Sequence, residues 1–141
     1  MTDIQQRVHT SFSAQGLMHT LGARLLHVAL GEVQIELPFS PTLSQQHGYL
    51  HAGATTSIVD SACGYAALTH TPAGAEIVTA EFKLNLLRPA IGQRFVATGK
   101  VVNAGRSLIV CTGEVHAMAG DSRKLIALMQ ATMAVVAAPP Q

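Results

Sequence analysis

A single carboxylate, Asp60, stands in the stretch HGYLHAGATTSIVDSACGYAAL, residues 47–68. No other Asp, Glu, Lys or Arg occurs between Glu36 and Glu76. An acid with no opposite charge nearby is suited to proton transfer or to nucleophilic attack. At helical spacing its neighbours are Thr56, Ser57, Cys63 and Gly64, none of them charged. Partial burial among them raises a carboxyl pKa by desolvation. Such a group draws a proton from water or attacks directly. The same residue on a solvated helix face does neither. Eight residues upstream, Ala52 falls in the first turn of the helix that this stretch predicts. Backbone N–H groups there lack partners, and the helix dipole adds partial positive charge. An N–H so placed suits a developing oxyanion, worth about 2.7–4 kcal/mol in a transition state. His51 heads the same turn, and a lone His at a helix start reads first as structural.

Two other chemistries are weighed and set aside. His47 and His51 have i, i+4 spacing, but no acid lies between them as in HExxH, and Gly48 weakens the helix that would bring them together. No metal and no cofactor are expected. Cys63 and Cys111 have no His nearby in sequence and fall on apolar elements, so inert core packing is the reading. They form no CxxC pair, which fits a reducing, cytoplasmic setting.

The elements that must position these residues are legible in the periodicities. Thr2 and Gln5 make a capping box for a short helix over about residues 3–13, with Ile4, Val8 and Phe12 on one face and Gly16 as its stop. Strands follow in ARLLHVAL and EVQIELPF, the second alternating Val33, Ile35 and Leu37 with Gln34 and Glu36. Residues 52–69 read as the one long helix, closed by Pro72 and Gly74. Its small residues on several faces suit an enclosed position. Four strands succeed it. The first, IVTAEFKLNLLRPA, is expected to place Val78, Ala80, Phe82, Leu84 and Leu86 on one face and Thr79, Glu81, Lys83 and Asn85 on the other. Short links make the last strands antiparallel neighbours. The fold class expected is α+β, a curved antiparallel sheet wrapped around one long central helix. Residues 1–141 read as a single domain, with a frayed tail at 138–141.

Charged residues make up only 12% of the 141, about half the roughly 25% usual in soluble proteins. Part of the surface is therefore expected to face another subunit. A net charge of +1, no basic runs and no Trp argue against nucleic acid as a partner. No apolar stretch suits a membrane span, and the N-terminus lacks a signal peptide's apolar region.

The segments GYLHAG, an acid on the following helix, and VTAEFKLNLLRPA together resemble the hotdog-fold acyl-CoA thioesterases of the phenylacetate-pathway type. The likeness runs from about residue 15 to residue 137. Gln45, Gly48, His51-Ala52-Gly53 and Asp60 match that family's motif spacing, with Ala52 in place of a Gly and Gln45 in place of an Asn. The resemblance implies hydrolysis of an acyl-CoA thioester, with Asp60 as nucleophile or general base and the Ala52 N–H polarising the carbonyl. It also implies that Gln45 holds the water or the carbonyl, that His51 orients the loop, and that Thr79 assists the water. An acyl group would enter beside Ile58, Ala62 and Tyr65, near Gly53. Arg88, Arg106, Arg123 and Lys124 are the candidates for coenzyme A phosphates, with the turn of Gly105 and Arg106 the first of them. The family binds its ligand between subunits, so a homodimer or a dimer of dimers is expected, with Asp60 of one chain facing Thr79 and the loop of the other. The alternatives are a hotdog enoyl-CoA hydratase or dehydratase, and a non-catalytic acyl-CoA binding protein.

Overall fold

A computed structural model describes residues 1–137; the expected tail at 138–141 lies outside the described residues. Helix α1 (Asp3–Ala14) begins at the Thr2–Gln5 capping box, with both reciprocal bonds formed at 3.0–3.1 Å. Its Val8 is buried, and Ile4 and Phe12 pack against the core. The chain does not leave the helical region at Gly16 as expected. Gln15 alone is extended, and Gly16 opens a second short helix, α2 (Gly16–Leu21), closed by the left-handed Gly22. Six residues show no usable helical period, which is why α2 is invisible in the sequence.

Strands β1 (Arg24–Ala29) and β2 (Glu32–Pro38) form a hairpin, and Val33, Ile35 and Leu37 are fully buried as their alternation requires. Glu36, on the opposite face, is buried too, held by Arg24 at 2.6 Å and Arg94 at 3.5 Å. After a 3₁₀ turn (Pro41–Leu43), helix α3 (Ala52–Leu68) runs across the concave side. Strands β3 (Ala75–Leu86), β4 (Arg94–Ala104), β5 (Leu108–Ala119) and β6 (Ser122–Ala137) complete one antiparallel sheet in the order β1-β2-β4-β5-β6-β3. Helix α3 packs against β2, β3, β4, β5 and β6. This is the hotdog arrangement, a helix enclosed by a sheet.

Two glycines let the helix sit so close. A Cβ on Gly99 would overlap the backbone of Ala62, and one on Gly113 would collide with Val59 and Cys63. The helix carries Ala62 at its nearest point to the sheet, so backbone meets backbone with no side chain between.

Strand β3 departs from the regular alternation expected of it. Its register with β6 pairs Thr79 with Met133 and Glu81 with Thr132, so Ala80 is an extra residue, a β-bulge. Beyond the bulge Phe82, Leu84 and Leu86 lie opposite buried Ala131, Met129 and Ala127, sharing one face as expected; Leu84 packs against the core, while Phe82 and Leu86 are exposed. Before it, Ile77 and Thr79 take the helix side and Val78 turns outward, 55% exposed. The bulge thus reverses the expected facing of Val78 and Thr79.

Gly99→Ala is expected to lower stability by about 3 kcal/mol or more, because the helix must move away from the sheet. Gly64→Ala, in a helix interior with open space around the new methyl, is expected to gain about 0.5–1 kcal/mol. Urea denaturation midpoints of the two variants measure both.

Candidate functional site

Helix α3 presents two cavities, one at its head and one along its middle. At the head, His51 is the N-cap, and its Nδ1 accepts the Gly53 N–H at 2.7 Å. That bond fixes the neutral tautomer with the proton on Nε2. It also consumes the Gly53 N–H, so Gly53 serves the cap and offers no donor to a ligand. Ala52 follows as the first helical residue, and its N–H meets no acceptor among the described residues. Gln45 sits in the preceding loop, where its side-chain oxygen accepts from the N–H groups of His47 and Tyr49. Those two donors orient the amide, leaving its NH₂ as the free end.

Gln45, His51 and Ala52 line a single cavity of about 420 Å³, walled by Leu86 and Arg88. The N–H groups of the Gln45 amide, of His51 Nε2 and of the Ala52 backbone, none with an acceptor among the described residues, make it a site for an oxygen carrying negative charge, while the His51 backbone N–H is taken by the Leu43 carbonyl. Thr55, one turn into the helix, lines the same cavity with a buried hydroxyl that has no partner among the described residues. Sequence reasoning missed it, since a Thr in an apolar helix carries no signal of its own. Arg88 donates to the Leu125 carbonyl at 2.6 Å and is exposed at the cavity wall.

Along the middle, Asp60 is half-buried, and its Oδ1 accepts the Thr79 hydroxyl at 2.8 Å. No cation pairs with it among the described residues. Burial pushes its pKa above the ordinary carboxylate value of 3.8, and the bond from Thr79 pulls the other way more weakly. Thr79 reaches Asp60 within its own chain, which replaces the expectation that Thr79 comes from a second copy. The bulge at Ala80 is what turns it inward. Asp60 and Thr79 line a cavity of about 310 Å³ together with Gly64, Tyr65 and Gln15.

Other expected contributors fall elsewhere. Ile58 and Ala62 are wholly enclosed in the core and line neither cavity. Their side of α3 faces the sheet. Gly105 and Arg106 lie in the exposed β4–β5 turn, at the strand ends opposite Arg88, and also line neither cavity. The cysteines are buried, and burial raises both thiol pKa values, that of Cys111 to about 11, so neither is a thiolate at neutral pH. The His47–His51 pair is drawn apart in role, since His51 Nδ1 is taken by the cap.

Asp60 and Ala52 therefore share a helix but not a cavity. Eight residues separate them by about 12 Å along the axis and about 80° around it.

A family model described as the thioesterase superfamily matches residues 47–122, the span that carries His51, Ala52, Asp60 and Thr79. A thioesterase family protein of Silicibacter pomeroyi has a similar solved structure, with 41% identity, a TM-score of 0.94, and coverage of 96% of this chain and 99% of that one. A Saccharolobus solfataricus protein whose name assigns it provisionally to the esterases is 32% identical over 97 residues, 69% of each chain. The Escherichia coli PaaI protein of the phenylacetic acid degradation operon shares the fold at 20% identity, with a TM-score of 0.85 over 94% of this chain.

Because the folded pKa of Asp60 exceeds its unfolded value, its contribution to stability is present below that unfolded value and is lost as pH rises through the folded one. Asp60→Asn is therefore expected to be more stable than wild type at pH 7. The difference is expected to vanish near pH 3, as read by thermal unfolding at the two pH values.

Proposed function

The chain belongs to the thioesterase superfamily, and on that premise we propose that it hydrolyses an acyl-CoA thioester to free acid and coenzyme A. The observation that carries the proposal is the unpaired, half-buried Asp60 on the same helix whose head offers a free Ala52 N–H. A thioester has a good leaving group in the thiolate. What it lacks is a nucleophile and a partner for the oxyanion, and these two residues supply them.

With Oδ1 held by Thr79, the other oxygen of Asp60 takes a proton from water as the water attacks the carbonyl carbon. Direct attack by Asp60, through a mixed anhydride, is the variant route. The oxyanion that forms meets the Ala52 N–H and the free amide of Gln45, and collapse expels the coenzyme A thiolate. His51 positions the turn by capping it. Arg88 at the cavity wall is the cation placed for coenzyme A phosphates.

The two cavities make one site when two copies meet. Strand β3 is a sheet edge, and Phe82, Leu86 and Leu87 are exposed on or beside it. A second copy pairing there about a twofold axis sets the two α3 helices side by side in opposite directions, with the Asp60 cavity of one facing the Ala52 cavity of the other. A homodimer is then the smallest complete unit, and dimers pairing further give a tetramer. A cytoplasmic location suits its two free thiols.

Wild type is expected to release free thiol from acyl-CoA substrates, and Asp60→Asn to lose about 10²–10⁴ of that rate. Equal rates would overturn the assignment of Asp60. Ala52→Pro deletes the one N–H at a position where proline suits a helix, and His51 already has the extended backbone that proline demands of its predecessor. A loss of about 10²–10³ in kcat is expected from it, with the thermal midpoint kept. Unfolding and refolding the two inactive variants together is expected to restore about a quarter of wild-type activity, since half the dimers are mixed and each mixed dimer has one intact site.

A further inference from the structure

Near the head of α3 three consecutive residues carry hydroxyls, Thr55, Thr56 and Ser57. Thr56 Oγ1 donates to the Ala52 carbonyl and Ser57 Oγ to the Gly53 carbonyl, both at 2.7 Å. A bond back to the fourth residue before it is the usual way a hydroxyl is satisfied within a helix. Thr55 makes no such bond. The carbonyl that would receive it, that of His51, already accepts the N–H groups of Ala54 at 2.9 Å and of Thr55 itself at 3.3 Å. Thr55 is 1% exposed, and its Oγ1 has no partner among the described residues.

The location makes the hydroxyl stand out further. Thr55, Val59 and Ala62 form one stripe of α3 at helical spacing. At Val59 and Ala62 that stripe lies against Gly113 and Gly99 of the sheet. At Thr55, near the last residue of β3, it meets the head cavity, which Thr55 lines together with Leu86 and Ile126. Valine has the same shape there and leaves no polar atom behind. A buried hydroxyl without a partner lowers stability, and one at the edge of a cavity is served by whatever atom enters that cavity.

Counting donors shows which atom of a thioester that is. Three N–H groups already serve the oxyanion, those of Ala52, the Gln45 amide and His51 Nε2. Arg88 is bound to the Leu125 carbonyl, and its fork geometry suits phosphate. Tyr49 is half-buried at the same cavity and meets solvent. Thr55 is thus the deeply buried donor that no oxygen of the reacting group claims. The remaining atom is sulfur, where negative charge gathers as the C–S bond breaks.

We propose that Thr55 is a catalytic residue whose hydroxyl donates a hydrogen bond to the sulfur of the departing thiol. The inference rests on the acyl-CoA thioesterase reading and adds to it the leaving-group half of the reaction. As the tetrahedral intermediate collapses, an oxyanion electron pair re-forms the C=O bond and the C–S pair passes to sulfur. The Thr55 proton stays on its own oxygen. The sulfur departs as thiolate and takes a proton from the acid product or from water. Neutral sulfur is a weak acceptor and gains strength as charge builds on it. The contact therefore grows toward the transition state, as a rate-enhancing contact must.

The test compares wild type with Thr55→Val, which keeps the shape and deletes the hydroxyl, and with Thr55→Ser, which returns it. Benzoyl and hexanoyl groups are each carried on coenzyme A, on thiophenol and on 4-nitrothiophenol, thiols of increasing acidity. In Thr55→Val, kcat for the coenzyme A esters is expected to fall by about 10–10², less than for an oxyanion donor because sulfur accepts more weakly, with KM kept. The loss is expected to shrink to about twofold or less on 4-nitrothiophenol, which leaves without help. Thr55→Ser is expected to recover most of the rate. The thermal midpoint of Thr55→Val is expected to rise by about 2–8 °C, because an unpaired buried hydroxyl is gone. A structural hydroxyl would give the reverse, a lower midpoint and one fractional loss for every leaving group. That pattern overturns the proposal, and so does Thr55→Val matching wild type on both coenzyme A esters. Wild type releasing no thiol from any of these esters overturns the hydrolase reading and this proposal with it.

Discussion

The contact on which everything else rests is the approach of the α3 backbone to the sheet at Gly99 and Gly113. With no side chain between Ala62 and β4, the helix is drawn into the concavity and packs against five strands. Most of its surface is thereby dry, including the side chains of Val59, Ala62, Cys63 and Ala66. What remains open is its head and one narrow flank. Those are the places where Ala52 and Asp60 sit. Enclosure thus does two things at once. It supplies the core, and it leaves a carboxylate in surroundings too poor in water to keep its ordinary proton affinity.

The head and the flank of α3 are prepared differently. At the head, chemistry comes from the backbone and from loop amides whose other hydrogen bonds are already made: Gln45 by its oxygen and His51 by Nδ1. These groups are rigid before any ligand arrives, the condition under which oriented dipoles act most strongly. On the flank, chemistry comes from side chains borne by elements far apart in the chain. Asp60 meets Thr79 from β3, and Tyr65 meets Ser11 and Gln15 from the N-terminal helices. The head is therefore set by local sequence, and the flank by tertiary packing.

That division explains how much could be read from the residues alone. The capping box at Thr2 and Gln5, the alternation of Val33, Ile35 and Leu37, and the reach of α3 are local patterns, and the structure has them where periodicity puts them. The motif from Gln45 to Asp60 is equally local. The position of Thr79 was not legible, because one unpaired residue in β3 inverts the facing of everything on one side of it, and no residue type marks a bulge at Ala80. Nor was the Gln15–Tyr65 contact, which spans 50 residues. The expectation that Ile58 and Ala62 line a pocket failed for a related reason. Helical spacing shows which residues share a face, but not whether that face looks toward the sheet or toward a cavity.

The bulge in β3 also bears on how such a protein drifts. Loss of the codon for residue 80 would do no harm to the facing of Thr79, which would stay opposite Met133 and turned toward the helix. A change that instead drew Ala80 into the ladder opposite Met133 would slip the first half of the strand by one residue. The ladder to β6 would close up and keep its hydrogen bonds while Thr79 looked out at water. Surveys of stability or abundance would pass such an allele as healthy. Its fault would lie wholly in the chemistry, one hydroxyl facing the wrong way.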